Sequence, residues 1–254
     1  MSDPLPIDAR ALTDFLFGLL NTPSPTGFTE RAIAYTEKAF AAFSFKMRRT
    51  TKGALMAEWA GKASNEPRAI TAHADTLGAM VKEVKGNGRL RLVQVGGFPW
   101  NVVEGEGCTV FTSVGNTVRG SLLLVGASNH VNYGDIGDLK RSDSTMEVQL
   151  DERTTSASET AALGIQVGDF VAFDPRVELA PAGFIRSRYL DGKACIATIF
   201  GAVKALVDAG IQPAQRTSIL VSNYEEVGHG AAGGFPPDLV ELLAVDMEIG
   251  RAHV

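Results

Sequence analysis

Four short clusters in this chain carry side chains that could do chemistry together. They are His73-Ala74-Asp75, then Leu190-Asp191-Gly192-Lys193, then Tyr224-Glu225-Glu226-Val227-Gly228, and finally Val245-Asp246-Met247-Glu248. In an extended segment residues two apart share a face, so the His73 imidazole and the Asp75 carboxylate can point the same way. A neutral imidazole binds Zn²⁺ well, and a nearby carboxylate orients it and raises its basicity. Taken singly, each cluster also has a plainer reading. His73 could be held by a local hydrogen bond without metal, and Asp191 could cap the helix that follows it. The two glutamates could form a solvated acidic loop, and Asp246 could be a turn residue. Two adjacent carboxylates at the end of an apolar strand are costly unless paired or coordinated. Neighbours in an extended stretch point opposite ways, which would let one glutamate bind metal while the other faces a water. As a set, one histidine followed by several carboxylates suits Zn²⁺ or Co²⁺, and Mn²⁺ tolerates it too.

The elements that position these residues follow from the apolar spacing. Ala11, Leu12, Phe15, Leu16, Leu19 and Leu20 make one helical stripe, stopped by Thr22-Pro23-Ser24-Pro25-Thr26-Gly27. A second helix opens at Thr29-Glu30 and runs to about Phe43. Residues 45–51 and 54–60 predict a hairpin around Lys52-Gly53, and 67–72 a short strand delivering His73. From about Gly78 to Asp174 the texture becomes short β-like runs (79–84, 89–95, 117–125, 146–150 and 167–173) with one helix at 157–164. That pattern implies a small barrel or sandwich. Helical periodicity returns with Ile196, Ile199, Phe200, Val203, Leu206 and Val207, and ends at Gly210. The near-continuous apolar runs 217–222 and 242–245 are those of a sheet covered on both faces. An α/β layer is therefore interrupted by a β module. Each reactive cluster falls at a strand end or before a helix, where α/β sheets bind ligands.

Composition removes several classes. The 254 residues are 45% apolar and 21% charged with a formal charge of −5. This suits an ordered core and is a poor match for nucleic acid or an anionic membrane. No apolar run is long enough for a membrane-spanning helix, and Met1-Ser2-Asp3-Pro4-Leu5-Pro6 is no secretion signal. Cys108 and Cys195 are far apart and read as reduced, buried thiols of a cytoplasmic protein. The glycine-rich 228–234 lacks the Gly-Lys-Ser/Thr of a phosphate loop. Ser128 and Ser142 have no nucleophile context, and a glycosidase built on Glu225 leaves the His73–Asp75 pair without a role.

These motifs resemble the tetrahedral aminopeptidases, a glutamyl aminopeptidase-like family of dinuclear metallopeptidases. His73-Ala74-Asp75-Thr76-Leu77-Gly78 looks like that family's His-x-Asp-Glu-Ile-Gly, and Tyr189-Leu190-Asp191-Gly192-Lys193 like its Ala-Leu-Asp-Asp/Asn-Arg. Glu225-Glu226-Val227-Gly228 matches its Glu-Glu-Val-Gly, and Ala244-Val245-Asp246 looks like its Ala-Leu-Asp. The wording of residues 103–108 and 224–230 is similar to one bacterial branch, associated with the osmoprotectant N-acetylglutaminylglutamine amide.

The resemblance implies a three-layer α/β/α metallopeptidase domain interrupted by an inserted β-barrel-like domain. Its parts would be 1–77, the insertion at 78–176 serving oligomerisation and substrate access, and 177–248. It further implies two divalent ions per subunit, zinc or cobalt with manganese tolerated, and a short peptide as substrate. His73 and Asp246 would bind one ion, Asp191 would bridge both, and Glu226 would bind the second. Glu225 would be the general base, and Asp75 would orient His73. The full-length protein would be a homo-oligomer with neither nucleic-acid nor membrane partners. A metal-dependent deacylase or carboxypeptidase with the same site plan is the enzymatic alternative, and a catalytically impaired assembly or binding protein the other.

Three residues depart from the family pattern, namely Gly192 for Asp or Asn, Lys193 for Arg, and Cys195 for Gly. The family also supplies a late histidine to the second metal, whereas this chain stops soon after Asp246. His253 comes too early to replace it, and His130 and His229 are weaker substitutes. The tail 249–254 is what a common short-read adapter would encode, so the expectation is a C-terminally truncated chain with a non-native end.

Overall fold

The computed structural model describes residues 5–128, 130–132 and 136–247. These divide into two units, one from the chain before Leu77 and after Asp174, the other Leu77–Asp174. In chain order the first unit begins with helices α1 (Ala9–Leu20) and α2 (Glu30–Phe40) and strands β1 (Lys46–Arg49), β2 (Leu55–Trp59) and β3 (Ala63–His73). The second unit holds β4 (Gly78–Val84), β5 (Leu90–Val95), β6 (Gly107–Phe111), β7 (Thr117–Leu124), β8 (Met146–Leu150), helix α3 (Ala157–Ala162) and β9 (Phe170–Phe173). The chain then completes the first unit with the hairpin β10 (Glu178–Leu179) and β11 (Ile185–Arg186), the long helix α4 (Leu190–Asp208), β12 (Gln215–Ser222) and β13 (Glu241–Ala244).

The second unit is a closed barrel in the order β4-β5-β8-β7-β6-β9. Its interior is filled by alternate residues such as Leu90, Leu92, Val110, Leu122, Leu124, Val148 and Val171, each at most 1% exposed. Closure leaves no free sheet edge.

In the first unit the sheet order is β1-β2-β12-β3-β13. β12 runs parallel to β3, as β13 does, while β2 is antiparallel to β12 and to β1. The pleat puts Leu55, Ala57, Ile219, Val221 and Ala72 on one face, against Phe15, Leu19, Ile33, Phe40, Ile196 and Ile199 of the helices. The opposite face carries Ala54, Met56 and Leu220, packed by Ala231 and Phe235. Five consecutive residues of β12, Ser218 to Ser222, are buried. This fits the apolar run expected of a central parallel strand. β13 forms as expected from its sequence, yet all four of its residues are exposed among the described residues.

Lys193 joins the helical layer internally. It is fully buried, and its Nζ donates to the carbonyls of Leu19 (3.0 Å) and Thr22 (2.8 Å) at the end of α1. The Leu19 carbonyl is among the acceptors that a helix C-terminus leaves without intrahelical partners, and the Thr22 carbonyl belongs to the turn that follows. Burial pulls the amine down to about 7, and a neutral amine still offers two N–H groups for two carbonyls. Because the folded value lies below 10.5, the unfolded chain binds the extra proton between those limits, and stability rises with pH there. Unfolding of the wild type and of Lys193→Met should therefore diverge in the wild type's favour from pH 7 to about 10.5. Paired denaturant titrations across that range give the result, and parallel curves would reject it.

Candidate metal centre

Strand register brings the reactive residues to one edge of the sheet. Ser222 pairs with His73, and the Ala74 N–H donates to the Ser222 carbonyl at 2.9 Å, so β3 and β12 end level. The residues after each strand, Ala74–Thr76 and Asn223–Glu226, must then run side by side. Ala244 pairs with Thr71, and the Val245 N–H continues the ladder to the Thr71 carbonyl (2.9 Å), which delivers Asp246 beside His73.

The fourth cluster arrives from α4. Tyr189 is left-handed (φ 67°), Asp191 extended (φ −53°, ψ 124°) and Gly192 left-handed (φ 67°) before regular helix begins. Asp191 is thus no cap; its Oδ1 stands 3.0 Å from His73 Nε2. A Cβ on Gly192 would lie 2.4 Å from the His73 carbonyl oxygen and 2.6 Å from its Nδ1. Only glycine permits this approach, and the positive φ adds a second reason.

The glutamate pair is not extended, which corrects the sequence expectation. Tyr224 turns left-handed (φ 64°) and Glu225–Val227 form a 3-10 turn. The cause is the Asp75 carboxylate, which accepts the Glu225 N–H and the Glu226 N–H, each at 3.2 Å. The same carboxylate accepts the Thr26 hydroxyl at 2.7 Å and stands 3.5 Å from His73 Nδ1, which also lies 3.0 Å from the Asp75 carbonyl. Thr26 itself is braced by the Thr76 carbonyl, and Ser24 Oγ donates to the Ala74 carbonyl. The sequence showed 22–27 only as a helix stop. Its role across 49 residues has no local signal.

Around His73 Nε2 the nearest carboxylate oxygens are those of Asp191 (3.0 Å), Asp246 (3.6 Å) and Glu225 (3.9 Å). Ligand atoms of His73, Glu225 and Asp246 all lie within 4.8 Å of one another. Glu226 stands outside that compact trio, while the Asp191 charge reaches its carboxyl. His253 lies outside the described residues.

Electrostatics show what the set lacks. Burial alone would lower His73, but its bonds to Asp75 and Asp191 and the charges of Asp75 and Asp246 push it up to about 10. Burial raises Asp191 and Glu225, with Asp246 adding repulsion at both. Glu226 is pushed up to about 7 by burial and then by Asp191. Asp75 is held low despite burial, because His73 and Thr26 bond to its ionised form. Carboxylates that repel one another around a protonated imidazole are a cation-seeking set, and their oxygen-rich donors with one nitrogen fit divalent metal.

A family model described as M42 glutamyl aminopeptidase matches residues 53–253. The protein named "Putative aminopeptidase YhfE" of Bacillus subtilis (strain 168) is 42% identical over 94% of this chain and 68% of its own length. Among solved structures, a TET aminopeptidase of a marine sediment Thaumarchaeota archaeon superposes with TM-score 0.78 at 19% identity, covering 87% of this chain and 60% of that one. The Pyrococcus horikoshii TET1 peptidase, which can assemble into a tetrahedron or a large octahedral shell, gives 0.72 at 20% identity, covering 85% and 62%. This chain thus spans about two thirds or less of those proteins. The two structural likenesses carry the fold, an α/β domain with an inserted barrel.

The hub at Asp75 has a measurable signature in the metal-free protein. Because His73 is raised from 6.5 to about 10, its protonation stabilises the fold fully below about pH 6.5, and that contribution is lost as pH rises through 10. Asp75→Asn should bring the His73 midpoint down by about one to three pH units. NMR titration of the imidazole follows it; an unmoved midpoint would contradict the pairing.

Proposed function

The chain belongs to the M42 glutamyl aminopeptidase family, and from that premise we propose that it carries most of the active site of a metal-dependent aminopeptidase acting on short peptides. The observation that carries this reading is the convergence of His73, Asp191, Glu225 and Asp246 at the carboxyl edge of the parallel sheet. Membership in the family supports peptide hydrolysis from the amino terminus, and the donor chemistry supports a metal.

In the proposed mechanism His73 and Asp246 would hold one divalent ion, Glu226 would serve a second, and Asp191 would be shared by both. When bound, such ions lower the pKa of water and polarise the scissile carbonyl. Zinc or cobalt suits the donors, with manganese compatible. Glu225 takes the proton from the attacking water and returns it to the leaving amine. Burial and the Asp246 charge raise its carboxyl above the ordinary value, which improves it as a proton carrier near neutral pH. Asp75 keeps the His73 ring in place and, through the two amide bonds, aims the Glu225 turn. In the full-length protein we propose a homo-oligomer, supported by the assembly of the Pyrococcus relative. A cytoplasmic location is supported by two free, buried thiols.

Replacing Glu225 by Gln should cut turnover of a free-amine peptide by about 10²–10⁴ while metal content stays unchanged. Dialysis against chelator should abolish turnover of the wild type, and Zn²⁺ or Co²⁺ should restore it. Hydrolysis indifferent to chelator sinks the proposal. Cleavage of N-acetylated in preference to free peptides would turn the assignment to a deacylase or carboxypeptidase.

A further inference from the structure

The proposed reaction leaves one buried amine unused. Lys193 is 0% exposed and opens the regular part of α4, directly after Asp191 and Gly192. Burying an amine costs free energy that a methionine in the same space would not incur, unless its N–H groups are bonded. The bonds therefore say more about its role than the packing does. Nζ donates to the Thr22 carbonyl, 171 residues away, at 2.8 Å and to that of Leu19 at 3.0 Å. It also lies 5.9 Å from the centre of the Tyr189 ring, within cation–π range. Tyr189 is the left-handed residue at the head of the segment that carries Asp191. One amine thus touches both the start of α4 and the end of α1. The two helices pack closely, since a Cβ on Gly201 would stand 2.6 Å from Leu12 Cδ1. Apolar contact of that kind is non-directional, whereas two hydrogen bonds fix where along α1 the start of α4 stands.

Followed outward from Lys193, the contacts close on themselves. In one direction the chain beyond Thr22 reaches Ser24, whose Oγ donates to the Ala74 carbonyl at 2.7 Å, and Thr26, whose Oγ1 donates to the Asp75 carboxylate at 2.7 Å. Main-chain bonds secure the same junction. The Thr76 N–H donates to the Ser24 carbonyl at 2.9 Å, and the Thr26 N–H to the Thr76 carbonyl at 3.1 Å. The other direction runs back through Gly192 to Asp191, whose Oδ1 stands 3.0 Å from His73 Nε2. His73, Ala74 and Asp75 are consecutive, so the two directions meet there. Each arm is tied to the end of β3, and Lys193 ties the arms to each other.

We propose that Lys193 is a positioning residue for the metal centre: by holding the start of α4 to the end of α1, it sets the Asp191 carboxylate against His73 and keeps the Thr26 hydroxyl on Asp75. Gly192 makes the restraint necessary. A glycine at φ 67° has no side chain to brace the backbone of Asp191, so the brace comes from the next residue. A carboxylate shared by two ions tolerates little displacement, and residues that orient metal ligands from outside typically change metal affinity by about 10- to 100-fold. The metal part of this assignment rests on the aminopeptidase reading of the centre. The closed circuit of bonds does not.

Zn²⁺ titrated into the 254-residue chain against a chelating dye reads the affinity without turnover. Lys193→Met should weaken it by about 10- to 100-fold. Lys193→Gln, which keeps N–H donors on a shorter stem, should weaken it less, and it carries the comparison alone if the methionine variant does not fold. Thr26→Val breaks the same circuit at another link. The double variant should therefore bind about as poorly as the weaker single one, because an opened circuit has little more to lose. Val203→Ala, on the buried face of α4, is the control and should lower the denaturant midpoint while leaving affinity unchanged. Unchanged affinity in the Lys193 variants, losses that add in the double variant, or an equal loss in Val203→Ala would each overturn the proposal. Hydrogen exchange of the metal-free chain separates the circuit from the metal reading. The Glu225 and Glu226 amides, which donate to Asp75, should exchange faster in Lys193→Met than in Val203→Ala at matched global stability. A wild type that bound no zinc would defeat the metal reading, and these rates would still decide the circuit: equal exchange in the two variants overturns it.

Discussion

A single buried carboxylate organises the centre. Asp75 is 0% exposed, and an ionised group so placed is tolerable only when its oxygens are fully bonded. It meets that condition by drawing in three chain segments remote from one another: Thr26 after α1, His73 at the end of β3, and the amides of Glu225 and Glu226 beyond β12. The dependence runs both ways. Those two amides bend the chain into a 3-10 turn, and the turn exists in that place because an anion lies beneath it. Removing the charge would leave the amides poorly matched, release the imidazole and free the glutamates together. A metal site built on one such hub inherits its precision from main-chain hydrogen bonds, which are shorter levers than side-chain rotamers.

The parallel sheet supplies the second half of the design. Its three parallel strands β12, β3 and β13 end in register, so whatever follows each strand gathers at one edge. Asp191, Glu225 and Asp246 then stand around one histidine with Glu226 beyond them, and Asp191, Glu225 and Glu226 are pushed above their ordinary values. Fold stability does not call for that arrangement. Like charges held this closely weaken a fold until a cation binds between them. The well-packed layer of Phe15, Leu19, Ile33, Phe40 and Ile196 on the other side of the strands holds them there regardless.

Much of this could be read from the chain, and the failures have physical causes. Residues whose role follows from local spacing were legible: the stripe of α1, the apolar run of β12, the β-like run that becomes β7, and the His73–Asp75 pair. β6 escaped because Gly105-Glu106-Gly107 hides its start, and the barrel supplies the order that its own sequence lacks by pairing it with β7 and β9. The Glu225 turn was misread as extended because the anion that bends it lies 150 residues away. Thr26 was missed for the same reason. An N-cap for Asp191 was a fair local reading, but Gly192 breaks the helix just where the cap would act.

Gly192 shows how sterics and charge select one residue together. The resembling family places Asp or Asn there, yet in this conformation any Cβ would press into the His73 carbonyl at 2.4 Å and its ring at 2.5 Å. A left-handed φ of 67° makes the strain worse for every residue but glycine. An added carboxylate would also face Asp191, Glu225, Glu226 and Asp246, whose mutual repulsion already raises several of them. Glycine therefore lets the chain carry Asp191 against His73 at hydrogen-bond distance, and it does so without enlarging the negative charge that a cation must neutralise. The close contact between Asp191 and the imidazole and the absence of a carboxylate at position 192 both follow from one glycine.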